Sequence, residues 1–136
     1  MTDGASVIER DFTAPKMRLT VRRGPLAVPA LVSGVGTFAA RTGLPVDRLP
    51  DLAAIVEGMA AALPGPLLEL EARLDRGTGG LELSVCRLPP GAARSMLSDV
   101  RHGGLARLLA VTADAIAVRS TSRNGEVLVV SLLPPR

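Results

Sequence analysis

The sequence predicts an α+β domain, a two-layer sandwich with helices packed on one face of a mixed, mostly antiparallel sheet. Several stretches alternate apolar and charged residues, the period of a strand with one wet face. Others repeat apolar residues at spacings of three and four, the period of a helix buried along one stripe. Asn124-Gly125, set between two β-prone runs, is the strongest short hairpin signal in the chain. The 136 residues are 47% hydrophobic and 21% charged, enough for one domain with a real core and too few for two.

Residues 1–14 read as a tail, with a short edge strand around Ser6 to Ile8, and residues 15–134 as the single domain. From Lys16 to Arg23, Met17, Leu19 and Val21 alternate with Lys16, Arg18, Thr20 and Arg22, a strand that Gly24-Pro25 ends. Leu26 to Thr42 repeats Leu31, Val35 and Phe38 at helical spacing, and Gly43 closes it. Gly34 and Gly36 inside that helix each cost roughly 1 kcal/mol against Ala, a loss that close helix-to-helix approach would offset. Asp47 to Leu63 is the next helix: Asp47 can cap the free amides, Pro50 fits the first turn, and Asp51 suits the positive end of the dipole. Its stripe is Leu49, Leu52, Val56, Met59 and Leu63, and Pro64-Gly65-Pro66 stops it.

Leu67 to Asp75 places Leu68, Leu70, Ala72 and Leu74 inward, and Leu81 to Leu88 answers with Leu81, Leu83 and Val85, the two forming an antiparallel hairpin. Pro89-Pro90-Gly91 breaks the run, a short helix fits Ala93 to Val100, and Leu105 to Ala113 reads as a further helix. Ala115 to Arg123 and Glu126 to Leu133 flank the Asn-Gly turn. The order is βααββαββ, with apolar outer positions expected at Leu128, Val130 and Leu132.

Composition narrows the functions to expect. Phe12 and Phe38 are the only aromatics, and the lack of any Trp or Tyr on which bases could stack weakens a single-stranded nucleic-acid reading. The net charge is +3, and the arginines are scattered, with Arg22-Arg23 the only adjacent pair; this describes solvated faces and not a phosphate-binding stripe. Cys86 and His102 each stand alone, which excludes an internal disulfide, a cysteine-based metal site and a His-pair metal motif. Cys86 reads as a small buried hydrophobe and His102 as a loop histidine. No apolar run is long enough to span a membrane, and the acidic N-terminus is unlike a signal peptide, so the expected compartment is the cytoplasm. The residue that fits least well is Glu57, a carboxylate among Ala53, Ala54, Ala60 and Ala61: either that face meets water or Glu57 overlooks a cavity.

Two stretches, Val32 to Leu63 and Gly103 to Val118, resemble the anti-sigma factor serine kinases of the GHKL (Bergerat-fold) ATPase superfamily. Val32 to Leu63 is similar to that family's two-helix segment, whose C-terminal helix bears a Glu and, four residues later, an Asn. Gly103 to Val118 is similar to its glycine-rich lid end and following helix. By this resemblance Glu57 takes the place of the general base, and Gly103 and Gly104 fall in the phosphate loop. The family's remaining nucleotide chemistry is missing. Ala61 stands where an Asn would hold Mg²⁺, and a methyl group offers no oxygen ligand. Cys86-Arg87-Leu88-Pro89-Pro90-Gly91 replaces an Asp-x-Gly-x-Gly whose Asp reads adenine, and Leu105 replaces a cradle glycine.

The resemblance, with these departures, implies a degenerate member without bound ATP or Mg²⁺. Such a protein would bind a sigma factor or a STAS-type antagonist domain and, as is common in the family, form a homodimer. The alternatives are an active serine/threonine kinase using ATP and Mg²⁺ through Glu57, and a structural domain whose likeness is architectural only.

Overall fold

A computed structural model describes residues 16–63, 65–75, 79–98, 104–122 and 125–132. Strand β1 (Lys16–Arg22) leads to helix α1 (Ala27–Arg41), and a 3-10 turn (Val46–Arg48) leads to helix α2 (Leu49–Ala62). Strands β2 (Leu67–Asp75) and β3 (Gly80–Leu88), helices α3 (Ala92–Ser98) and α4 (Leu105–Thr112), and strands β4 (Ala115–Thr121) and β5 (Gly125–Leu132) complete the described chain. The sheet order is β1-β2-β3-β5-β4, and every pairing is antiparallel, so the expected mixed component is absent among the described residues. The tail at residues 1–14, with its edge strand at Ser6 to Ile8, and Asn124 of the hairpin turn lie outside the described residues.

The register explains the two layers. Met17, Ala72, Leu83, Val130 and Ile116 form one row across all five strands. Ala72, Leu83 and Val130 in that row are sealed at 0–1% exposure, whereas Ile116 at the β4 edge remains 40% exposed. Leu31 and Val35 of α1, and Leu52, Ile55, Val56 and Met59 of α2, close the same core. Those four α2 positions alone remove enough aliphatic surface to contribute several kcal/mol, at about 2 kcal/mol for each fully buried side chain. The helix layer therefore covers β1 to β5 and stops short of β4.

The row also corrects one sequence reading. Leu128, Val130 and Leu132 are not outer positions: each is 0% exposed and faces the helices. Both alternating sets of β5 are apolar, so period two could not say which faces inward; pairing of Leu128 with Val85 and Val130 with Leu83 decides it. Gly34 is likewise a notch for β1 and not for a second helix, since a Cβ there would lie 2.6 Å from Leu19 Cδ1.

Helix α2 begins later than expected. Pro45 is extended, and the 3-10 turn that follows takes up Asp47, so Asp47 is exposed and Arg48 is the residue before the helix, with no side-chain cap. Arg48 instead ties this end down, donating to Asp51 at 2.9 Å and, across the fold, to Asp114 at 2.9 Å and the Thr112 carbonyl at 3.5 Å. The opposite end is held by Arg23. Its guanidinium donates to the carbonyls of Leu63 at 2.5 Å, Gly65 at 2.9 Å and Ala60 at 3.5 Å, and its own amide donates to the Pro66 carbonyl at 2.8 Å. α2 has no basic residue in its last turn, so a cation from the end of β1 supplies the charge that the helix terminus favours. Arg22 and Arg23 are both exposed, as the sequence suggests, and Arg23 also serves as a cap for the end of α2.

Replacing Arg23 with Ala is expected to lower stability by about 1–2 kcal/mol, the worth of charge-assisted hydrogen bonds that remain partly open to water. Urea unfolding of the two proteins measures it. Arg23→Lys should recover less than half of the loss, because an ammonium cannot reach three carbonyls in the plane that the guanidinium spans.

Candidate functional site

Helices α2 and α4, which carry Glu57 and Leu105, pack against each other along a close seam. Gly58, next to Glu57, is a point of close approach. A Cβ at Gly58 would lie 2.6 Å from Leu108 Cδ2 and 3.2 Å from Leu105 Cδ1, so the two leucines of α4 sit directly on the α2 backbone. Leu105 is 1% exposed, and Met59 and Met96 are sealed with it in the core. At Gly58 the seam is therefore closed by aliphatic side chains.

Glu57 does not take part. It is exposed, as is Ala61 one turn on, which settles the choice between water and cavity in favour of water. Next to Gly103, Gly104 adopts a left-handed conformation (φ 69, ψ 52) immediately before α4, and its carbonyl accepts from the Leu108 amide. Gly103 itself and His102 lie outside the described residues.

The stretch from Cys86 to Gly91 runs from the end of β3 to α3. The β3–β5 ladder slips between Val85 and Leu88, and Arg87 takes a left-handed conformation at φ 62, which marks a bulge. Gly125 lies beneath it; a Cβ there would meet the Leu88 carbonyl oxygen at 3.2 Å, and its φ of 63 also favours glycine. Pro89 and Pro90 offer no amide hydrogens. The amides that follow are taken: Glu126 of β5 accepts from Gly91 N at 3.0 Å and from Ala93 N at 2.6 Å, and the Pro89 carbonyl accepts from Ala92 N at 3.0 Å. A carboxylate from a distant strand thus satisfies the free donors at the start of α3.

Those two backbone donors, and more weakly Arg94, hold the Glu126 carboxyl below the ordinary carboxylate range. Cys86 is half-buried on the sheet face away from the helices, beside Glu71, Glu69, Arg18 and Arg87. Burial, and then the Glu71 carboxylate, push its thiol up, opposite to what a nucleophilic cysteine requires. Nearby ion pairs join Arg18 to Glu71 at 3.0 Å and Arg87 to Glu69 at 3.6 Å. Arg23 and Glu126 are the functional-looking groups that sequence reasoning passed over, since each acts on backbone far away in sequence.

A further feature lies on the outer side of the helix layer. Val32 and Gly36 of α1 face Val46, Leu49, Pro50, Leu52 and Ala53 across an apolar groove of about 410 Å³. Gly36 has nothing within 4 Å of its would-be Cβ, so it opens the groove and does not serve packing. Among the described residues no three His, Cys, Asp or Glu side chains gather into a metal site, and no helix is long and apolar enough to cross a membrane. In comparisons with known proteins, no family model matches the chain and no curated protein sequence resembles it significantly.

Two outcomes follow from this geometry. Gly58→Ala should change stability by less than about 1 kcal/mol, since a gain in helix propensity opposes the shift forced on the outer end of Leu108, whereas Gly58→Ile should destabilise by about 1–3 kcal/mol through overpacking. Equilibrium unfolding in urea separates the two. For Glu126 the folded-state carboxyl is the more acidic, so its contribution is complete above the unfolded value and fades as pH falls through the carboxylate range. Glu126→Gln should accordingly lie below the parent protein in stability near neutral pH, with the gap closing in acid; thermal unfolding at a series of pH values checks it.

Proposed function

We propose that this chain is a regulatory binding module of the anti-sigma type, which works by protein–protein contact and neither binds nor turns over a nucleotide. The observation that carries the reading is the packing of Leu105 and Leu108 onto Gly58, which fills the seam where the resembled kinases would hold a triphosphate. Two further features support it. The amides of Gly91 and Ala93, the donors left beside Pro89 and Pro90, are occupied by Glu126. Ala61 and exposed Glu57 supply at most one oxygen ligand group, and Mg²⁺ requires near-octahedral oxygen coordination. These residues do not fit a magnesium–nucleotide, so no phosphoryl-transfer step is assigned to Glu57.

The surface best suited to a partner is the apolar groove between α1 and the start of α2. Its rim carries Val46 at 80% exposure, and Leu26, at the start of α1, is 77% exposed. An amphipathic helix laid into such a groove would bury apolar anchors at spacings of three and four. In this reading the occupant is a helix of a sigma factor, for which a STAS-type antagonist domain competes.

Isothermal titration calorimetry with ATP and Mg²⁺ tests the nucleotide half: no heat is expected at about 1 mM ligand, and binding at about 10 μM or tighter would restore the kinase reading. Capture of purified sigma factor by the immobilised chain tests the partner half. Gly36→Glu should abolish capture with an unchanged melting temperature, because the new side chain enters open space in the groove.

A further inference from the structure

The two edges of the sheet differ in a way that bears on self-association. At one edge, β1 reads KMRLTVR, with Lys16, Arg18 and Arg22 in seven residues. Antiparallel pairing of two such strands about Leu19 would set Lys16 opposite Arg22 and concentrate six cations along the join. Like charges opposed across strands are destabilising, and cationic side chains are a common guard on sheet edges.

The other edge has no such guard. β4 reads AIAVRST, pairs with β5 without a register break over Ala115 to Thr121, and carries Arg119 as its only charge. It contains no proline and no bulge. Half of an edge strand's amides point away from its single partner, so β4 presents a regular row of donors and acceptors. Its side chains remain uncovered as well: Ile116 is 40% and Val118 46% exposed, though both lie on the face that the helices seal elsewhere.

We infer that β4 pairs antiparallel with β4 of a second copy of this chain, about a two-fold axis at Ala117, to make one ten-stranded sheet. In this register Ile116 of each copy lies opposite Val118 of the other, so each exposed aliphatic covers its counterpart. Arg119 faces Ala115, and the two arginines lie at opposite ends of the join. A single strand therefore complements itself in apolar match and in charge, as an isologous interface requires. The interface is one strand wide, which places it among weak, concentration-dependent dimers. The inference is independent of the binding partner proposed above.

Sedimentation velocity on the full chain, from about 5 μM to about 500 μM, should show a monomer giving way to a dimer. Val118→Lys should remain monomeric throughout, with circular dichroism confirming that it folds. Register is read separately in a Cys86→Ser background: Ala117→Cys should form a disulfide-linked dimer under mild oxidation, while Thr121→Cys, displaced from the axis, should not. A chain monomeric at every concentration would overturn the inference. So would a dimer in which Ala117→Cys fails to cross-link.

Discussion

The contact of Gly58 with Leu105 and Leu108 sets the depth of α2 in the fold, and most of the architecture depends on that depth. With no side chain at Gly58, α4 lies against the α2 backbone, and Met59 and Ile55 are pressed into the sheet side of the core at 0% exposure. Had this seam been wider, a polar cavity between α2, α4 and the turn after β3 would have been sterically available. Closing it exchanges room for a ligand for dispersion contacts among aliphatic side chains, each small and collectively large. The absence of Trp and Tyr from the whole chain makes that exchange natural, because leucine and methionine adapt to narrow gaps that large rings cannot enter.

Long-range polar contacts then fix what packing leaves free. Arg48 joins the start of α2 to Thr112 and Asp114 at the α4–β4 junction, and Arg23 joins the end of α2 to the end of β1. Both hold α2 along its axis, which a sliding apolar stripe does not. Glu126 does the same for α3, whose seven residues are too few to be a stable helix alone. These contacts share one design: a charge on a distant element satisfies backbone groups at a helix end, where neutral side-chain caps are lacking. The Arg48 Nε is buried without a partner, a local cost accepted by a side chain already committed to several acceptors.

What the sequence made legible follows the same division. Strand β2 lies at Leu67–Asp75 with Leu68, Leu70 and Ala72 inward, because alternation is a local property and the flanking glycines and prolines punctuate it. The α2 stripe was readable for the same reason, although Ile55, Ala60 and Ala62 widen it. Features that depend on partners distant in the chain were not readable. Leu128 and Val129 are equally apolar, and only the register with β3 shows that Leu128 faces the helices. Gly34 and Gly36 are alike in sequence, yet one abuts Leu19 and the other opens a groove. Gly58 gave no signal, being one small residue in an alanine-rich helix. Of the candidate site, the exposed Glu57 and the left-handed Gly104 were visible as residues, whereas the filled seam beside them was not.

The helix layer's limited width links the core to the surfaces. α1 lies over β1 and β2, and α3 reaches β5, so the row that seals Ala72, Leu83 and Val130 runs out at Ile116. A sheet of five strands with helices enough for four leaves one strand to be stabilised by its hydrogen bonds to β5 and by little else. Loss of a side chain on β4 should therefore cost the monomer less than the same loss on β3, where Leu83 is wholly enclosed. That asymmetry gives β4 freedom to carry an aliphatic face without threatening the fold. The cationic β1 strand, packed under α1 through Leu19 and Gly34, has its partly buried inner face turned to the core. Edge chemistry and core coverage thus vary together across the sheet, and both leave the β4 side as the one on which new contacts can be made with least loss of stability.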